Sequence, residues 1–350
     1  MGKSGVLLGV NELKEGMILS KDIIKNGSLL IRKSTTLTKE LISKLNKLYF
    51  LEKVEVDISE EVTEENSKEA EMRKVEESLK QVSSELEEMF PKMNKIRKID
   101  VDDLRIFAEK IQNQLKSTEI VVSSIIFRGS GNDNIYRHGV NVAVLSTLIG
   151  RWIGLETTKI NLLIYSALLH DFGITKLENR YQRRPDIIMA EDYKEVKEHA
   201  KIAYRYVDSI PYLDKSVSYG VLMHHEREDG SGFPLGINGD KIHYFAKIIA
   251  IADEFDVLNS YMECDRNRGP FEVLETLKEK SLNKLDYEYT RILIEHISNY
   301  YIGEDVLLNT GEVAKVIQID SNNLSKPLLI KDNEFLDLGK NKDLYIKELL

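Results

Sequence analysis

The chain has 350 residues, 49 Lys and Arg against 58 Asp and Glu, a net charge of −9 and one cysteine, Cys264. An acidic chain lacks the basic face that phosphate polymers require, which argues against polymeric nucleic acid, although a small anionic ligand stays open if a metal supplies positive charge. A lone thiol forms no internal disulfide, no stretch has the order of a signal peptide, and no apolar run reaches the roughly 18 residues of a membrane span; together these predict a cytoplasmic protein.

A chain of this length is expected to hold two or three domains. Residues 1–58 contain the short apolar segments "VLLGV", "MILSKDII" and "SLLIR" between Gly and Asn turns, then "LTKELISKLNKL" at helical spacing with Thr38 as its N-cap, which predicts a small α+β module. Residues 59–99 form an acidic helical linker, with eleven Glu against four Lys or Arg between 60 and 90. Along it Met72, Val75, Leu79, Val82, Leu86, Met89 and Met93 alternate spacings of three and four. Such a seam has two readings, one helix packed on its own chain or a coiled-coil homodimer through residues 66–93, and Pro91 is expected to interrupt it.

Residues 100–302 show helical spacing almost throughout, as in "NVAVLSTLIGRWIG" and "FAKIIAIADEFDVLNS", and are predicted to be an all-helical bundle core. From 303 to 350 the pattern returns to strands. "DVLLNTGEVAKVIQID" reads as two strands around Asn309-Thr310-Gly311, with two more in "KPLLI" and "EFLDL", a small β appendage. The predicted fold class is therefore mainly α.

Five of the seven histidines fall in one ordered series within the helical core. His138, His170-Asp171, His199, His224-His225 and then Asp253 are separated by 32, 28, 25 and 28 residues, about one helical hairpin each. That spacing brings one face of several helices to a common point, as bundles do when they hold metals. Imidazoles mixed with carboxylates suit iron, manganese or zinc rather than magnesium or calcium. A carboxylate shared by two ions, with a water of lowered pKa between them, is suited to hydrolysing an anionic phosphodiester.

The segments "LLHDFG", His199, "HHEREDGSGFP" and "AKIIAIADEFDVLNS" resemble the HD-GYP subgroup of the HD phosphohydrolases over about residues 120–300. The resemblance implies an all-α domain that hydrolyses cyclic di-GMP to linear pGpG or GMP, using a metal-bridging water. It implies Asp171 as the bridge, His138, His170 and Asp253 at one ion, and His199, His224 and His225 at the other. It also implies His170 and Asp171 as the catalytic pair, with iron or manganese expected ahead of zinc. The family's third-metal Glu is Asn134 here, so two ions are expected.

Other departures touch the phosphate clamp. The family's Lys after His-Asp-x-Gly is Ile174, its two later basic residues are Met262 and Asp265, its Tyr is Phe233, and the Gly after the third His is Ala203. Substrate contacts are therefore assigned to Lys176, Gly232, Phe233, Lys247, Arg266 and Arg268. The functional expectation is a weak cyclic dinucleotide phosphodiesterase, cyclic di-GMP first. The alternatives are a metal-bearing sensor or scaffold without turnover and a phosphodiesterase for another cyclic dinucleotide.

Overall fold

The structure, a computed structural model, describes residues 5–9, 13–14, 16–21, 23–25, 28–31, 33, 35, 37–38, 41–42, 45, 53–57, 61–96, 101–115, 118–128, 130, 135–177, 194–261, 269–332, 334–341 and 343–350. They fall into two compact units, residues 1–73 and 74–350.

In the first unit, β1 (Gly5–Gly9) and β2 (Ile18–Leu19) flank β5 (Lys53–Asp57) in an antiparallel sheet, and β3 (Ile23–Lys25) pairs with β4 (Ser28–Ile31). β5 was not expected, because "KVEVD" carries only two apolar residues. Val54 and Val56 alternate into a small core with Leu13, Leu19, Leu37 and Leu45, while Glu55 between them pairs with Lys21 at 2.5 Å. The Thr38 cap is present: its Oγ1 accepts the Leu41 N–H at 3.3 Å. Most of the helix expected over 37–48 lies outside the described residues.

Helix α1 (Glu61–Ile96) continues through Pro91, whose side is exposed, so the proline does not break it. The heptad seam is intramolecular. Val75, Leu79, Val82, Leu86, Met89 and Met93 are all buried in one core with Leu104, Phe107 and Ile111 of α2 (Val101–Gln114) and with residues of the helices that follow. This favours the first of the two readings, one helix packed on its own chain, and does not support a homodimer along this stripe of residues 66–93. The period of a stripe tells that it is buried, not by which chain.

After α3 (Thr118–Arg128) come α4 (Ile135–Trp152) and α5 (Thr157–Leu169), a 3₁₀ turn (Phe172–Lys176), then α6 (Lys194–Lys197), α7 (His199–Asp208) and α8 (Lys215–Met223). The helical part closes with α9 (Tyr244–Tyr261), α10 (Pro270–Lys280) and α11 (Tyr287–Tyr301). α4 is buried on every side from Arg137 to Gly150, and α9 from Ile248 to Ser260, which marks these two as the central helices. α5 packs on α4 and α8, and α9 on α4 and α8, so four helices surround one polar centre. Asp214 and Asp286 cap α8 and α11 by accepting the N–H groups of Ser216 and Tyr289, and Pro270 opens α10, where its missing N–H costs nothing. No helix among the described residues is long and apolar enough to cross a membrane.

The last five strands, β6 (Asp305–Leu308), β7 (Val313–Asp320), β8 (Asn323–Lys331), β9 (Glu334–Asp337) and β10 (Ile346–Leu349), form an antiparallel sheet in the order β10-β6-β7-β8-β9. The expected turn is there, with Gly311 at φ +84°. β10 is additional to the four strands expected. The inward residues Val306, Leu308, Val316, Leu329 and Ile346 join the helical core, and α10 packs on β8 and β10.

Candidate metal centre

The histidines owe their aim to helix ends. His170 and His224 are the C-cap residues of α5 and α8, and His199 follows the end of α6. The last carbonyls of a helix have no N–H four residues on to satisfy them. Here an imidazole Nδ1–H does so: His170 donates to the Ala167 carbonyl at 2.6 Å, His224 to that of Val221 at 2.7 Å, and His199 to that of Val196. His138, in the first turn of α4, donates its Nδ1–H to Asp256 Oδ2 at 2.8 Å. Four imidazoles are thus held as the tautomer that points an Nε2 lone pair inward.

These lone pairs converge in two sets. Ligand atoms of His138, His170 and Asp171 lie within 4.8 Å of one another, as do those of Asp171, His199, His224 and His225. Asp171 belongs to both, its Oδ1 3.3 Å from His199 Nε2 and its Oδ2 3.4 Å from His170 Nε2. Asp253 stands outside both sets but brings Oδ1 to 3.1 Å from His138 Nε2. All seven residues singled out in the sequence therefore meet.

Divalent ions fit this arrangement. His138 Nε2, His170 Nε2, His225 Nε2 and both Asp171 oxygens are buried without any hydrogen bond. Buried polar atoms are almost always paired, and five orphans at one point are the donor set that a divalent cation would satisfy. His199 Nε2 and His224 Nε2 lie 3.3 Å apart, and with both Nδ1 protons engaged this opposes two lone pairs, an arrangement that an ion relieves.

Charge states agree. Burial pushes His224 down to about 3, helped by the neighbouring His170 and His199, and burial also holds His225 well below its usual value, so both stay neutral ligands. Burial opposes a charge on His138, but Asp253 and Asp256 outweigh it and raise the pKa; an ion held at Nε2 would take the place of that proton. Burial likewise opposes ionisation of Asp171, yet His170 and His199 keep its carboxyl well below the usual range, in the form that binds metal.

Behind His138 runs a chain of side chains that the sequence did not reveal. Asp256 Oδ1 accepts from Asn141 Nδ2 at 2.8 Å, and Asn141 Oδ1 accepts from Arg137 Nε at 3.1 Å. Arg137, 2% exposed, forms a two-pronged pair with Glu76 of α1 at 3.1 and 2.9 Å.

Two glycines allow the close packing around the centre. A Cβ at Gly173 would sit 2.0 Å from the His199 carbonyl oxygen, so only glycine lets the turn after Asp171 press on the start of α7. At Gly232 it would lie 2.4 Å from Glu226 Cα, which explains a glycine in the turn that folds back over His225. Glu226 holds that turn: its buried carboxylate accepts the N–H groups of Leu235 at 2.6 Å and Ile237 at 3.1 Å. Glu226→Ala is expected to cost about 3 kcal/mol, the scale of two charge-assisted bonds in part re-made to water. A denaturant midpoint equal to the parent's would count against this role.

The residues expected at the substrate separate. Gly232 and Phe233 do reach the centre, the Phe233 ring stacking on the His225 imidazole with centroids 4.5 Å apart. Lys247 does not. Its ammonium is held by Glu228 at 2.9 Å and Asp286 at 3.1 Å, and it is not among the residues that bound the cleft beside the centre. Lys176 is exposed and lies over the Phe172 ring, 5.4 Å from its centroid, rather than in the cleft. Ile174 is 1% exposed, and Ala203 is buried in the core. Asn134, Met262, Asp265, Arg266 and Arg268 lie outside the described residues.

A cleft of ≈ 190 Å³ opens beside the centre, bounded by His225, Asp253, Glu254, Gly232 and Phe233 and by the cations Lys197, Arg227, Lys280 and Lys284. Sites that enclose a whole ligand of drug size measure about 300–1,000 Å³, so this cleft accommodates a phosphate with part of a nucleoside.

Residues 121–289 match the HD domain family. The chain is 26% identical over 212 residues to the cyclic di-GMP phosphodiesterase PdeB of Borreliella burgdorferi, covering 59% of this chain and 55% of that protein. It is 33% identical over 126 residues to 3'3'-cGAMP-specific phosphodiesterase 3 of Vibrio cholerae, covering 35% and 26% respectively. The chain thus spans about half or less of the length of these curated relatives. Among solved structures, an HDG"Y"P protein from Bdellovibrio bacteriovorus matches with a TM-score of 0.53 at 18% identity, covering 84% of this chain and 99% of that one, a likeness of fold.

Proposed function

We propose that this chain, whose residues 121–289 match the HD domain family, is of the HD-GYP type and is a metal-dependent phosphodiesterase for a cyclic dinucleotide, cyclic di-GMP first. The observation that carries this reading is Asp171, one carboxylate shared by two sets of buried ligand atoms that lack other partners. His138, His170, Asp171 and Asp253 would hold one ion, and Asp171, His199, His224 and His225 the other; iron or manganese suits this donor set. When bound, such ions supply an activated water and positive charge at the scissile phosphate. The chain's own residues fix the tautomers, keep His224 and His225 neutral, and screen His225 behind Phe233.

The test is anaerobic purification with elemental analysis, followed by turnover with Fe(II) or Mn(II) against cyclic di-GMP, mixed cyclic GMP-AMP and cyclic di-AMP. Two ions per chain and hydrolysis of at least one of these are expected. Loading should also raise the melting temperature, since an ion at a hundred times its Kd stabilises by about 2.7 kcal/mol. Metal content near zero under replete conditions would sink the proposal. A second reading, a metal-bearing scaffold without turnover, is favoured by the burial of Ile174 where the family has a lysine. Two bound ions with no hydrolysis of any of the three would select it.

A further inference from the structure

The clamp that the family's pattern would place at 174, 262 and 265 is missing, yet the cleft is not short of positive charge. Lys197, Arg227, Lys280 and Lys284 face it against the carboxylates of Asp253 and Glu254, in a chain whose net charge is −9. Three of the four already have a partner. Arg227 donates to the carbonyls of His224 at 3.2 Å and Glu226 at 3.0 Å, and Lys197 lies 5.6 Å from the Phe233 ring centroid. The other two come from the end of α10 and the turn after it. Lys280 is paired with Glu254, a carboxylate it shares with Arg227. Lys284 is exposed and makes no ion pair among the described residues.

Their position is fixed by backbone. The Lys280 carbonyl accepts the N–H of Lys284 at 2.9 Å and of Leu285 at 3.0 Å, closing the turn. The Lys284 carbonyl in turn accepts the Glu228 N–H at 3.0 Å, docking this turn on the segment that follows His224-His225. The backbone that carries the two lysines is thereby tied to the same loop as the candidate ligands His224 and His225.

Resting on the phosphodiesterase reading, we propose that Lys280 and Lys284 bind the substrate's second phosphate, the one not being cleaved, and so replace the missing clamp from a different part of the chain. Glu254 keeps Lys280 in the cleft in the absence of ligand and yields it to a phosphate, which offers a stronger, multiply accepting anion. Two phosphates of one cyclic dinucleotide are then held at once, one at the metal centre and one at the lysines. This selects a substrate with two linked anionic centres over a single phosphodiester.

The test uses the full metallated chain and cyclic di-GMP. Lys280→Ala with Lys284→Ala is expected to raise KM about tenfold or more while kcat changes less than about threefold, because contacts to a remote anion are made equally in ground and transition states. The slope of log KM against log salt should flatten, and metal content should stay at the parent's value. Lys280→Arg should recover most of the lost affinity, an outcome that a purely structural role for the turn does not explain. If the metallated parent turns over cyclic di-GMP but the double variant keeps its KM and its salt slope, the lysine assignment fails by itself. If the parent neither binds nor hydrolyses cyclic di-GMP, the functional reading fails and the lysine assignment falls with it.

Discussion

Asp171→Ala is expected to abolish most of the metal binding proposed above and to lower the proposed phosphodiester hydrolysis by on the order of 10³-fold or more. This is the largest effect expected of any single change, because Asp171 alone belongs to both ligand sets. Its loss takes one ligand from each ion at once, and ions supply several kcal/mol of charge stabilisation to the transition state, with about 1.4 kcal/mol per factor of ten. Asp171→Asn is the informative companion. It keeps the volume and one acceptor oxygen, so a folded protein with reduced metal content separates ligation from packing. Elemental analysis beside circular dichroism reads both. Full retention of two ions by the alanine variant would show that the bridge lies elsewhere.

The second large effect concerns stability. Glu76→Ala should destabilise the protein by about 3–5 kcal/mol, the usual penalty for stranding one member of a buried pair. Arg137 is 2% exposed and Glu76 receives two of its N–H groups, so truncation removes a carboxylate that neutralises a buried guanidinium. A fall in melting temperature on the order of 10 °C is expected. Replacing both residues with methionine should cost less than the single change, since no buried charge is then left over. A single variant as stable as the parent would mean that Arg137 finds another partner at little cost.

The ligand series was legible because its parts are contiguous or evenly spaced: "HD" and "HH" are adjacent pairs, and helical period alone predicts which faces converge. What supports it was not. Glu76 and Arg137 are 61 residues apart, and nothing local marks them as partners. Lys247 looked available because its neighbours in sequence are apolar, whereas Glu228 and Asp286, which hold it, arrive only through folding. Lys280 and Lys284 were invisible for the converse reason, being ordinary helix-end lysines until the Glu228–Lys284 backbone bond places them. The seam of α1 shows the same limit, since an apolar stripe at heptad spacing reads alike whether its cover is a second copy or α2.

The order in which the centre is made has a consequence for which ion it acquires. Its ligands run from His138 on α4 to Asp253 on α9, so 115 residues separate the first to leave the ribosome from the last. At about 5–20 residues per second, that is an interval of roughly 6–23 s. Throughout it the nascent chain displays imidazoles and a carboxylate without the rigid frame that later selects among ions. An incomplete site follows the general affinity order, in which copper and zinc outcompete iron and manganese. The identity of an ion bound there would then be decided by a race between closure of α9 over the ligands and capture of whatever ion is most available. Protein made in zinc-rich and in iron-rich media should accordingly carry different ions in the same seven-residue cage.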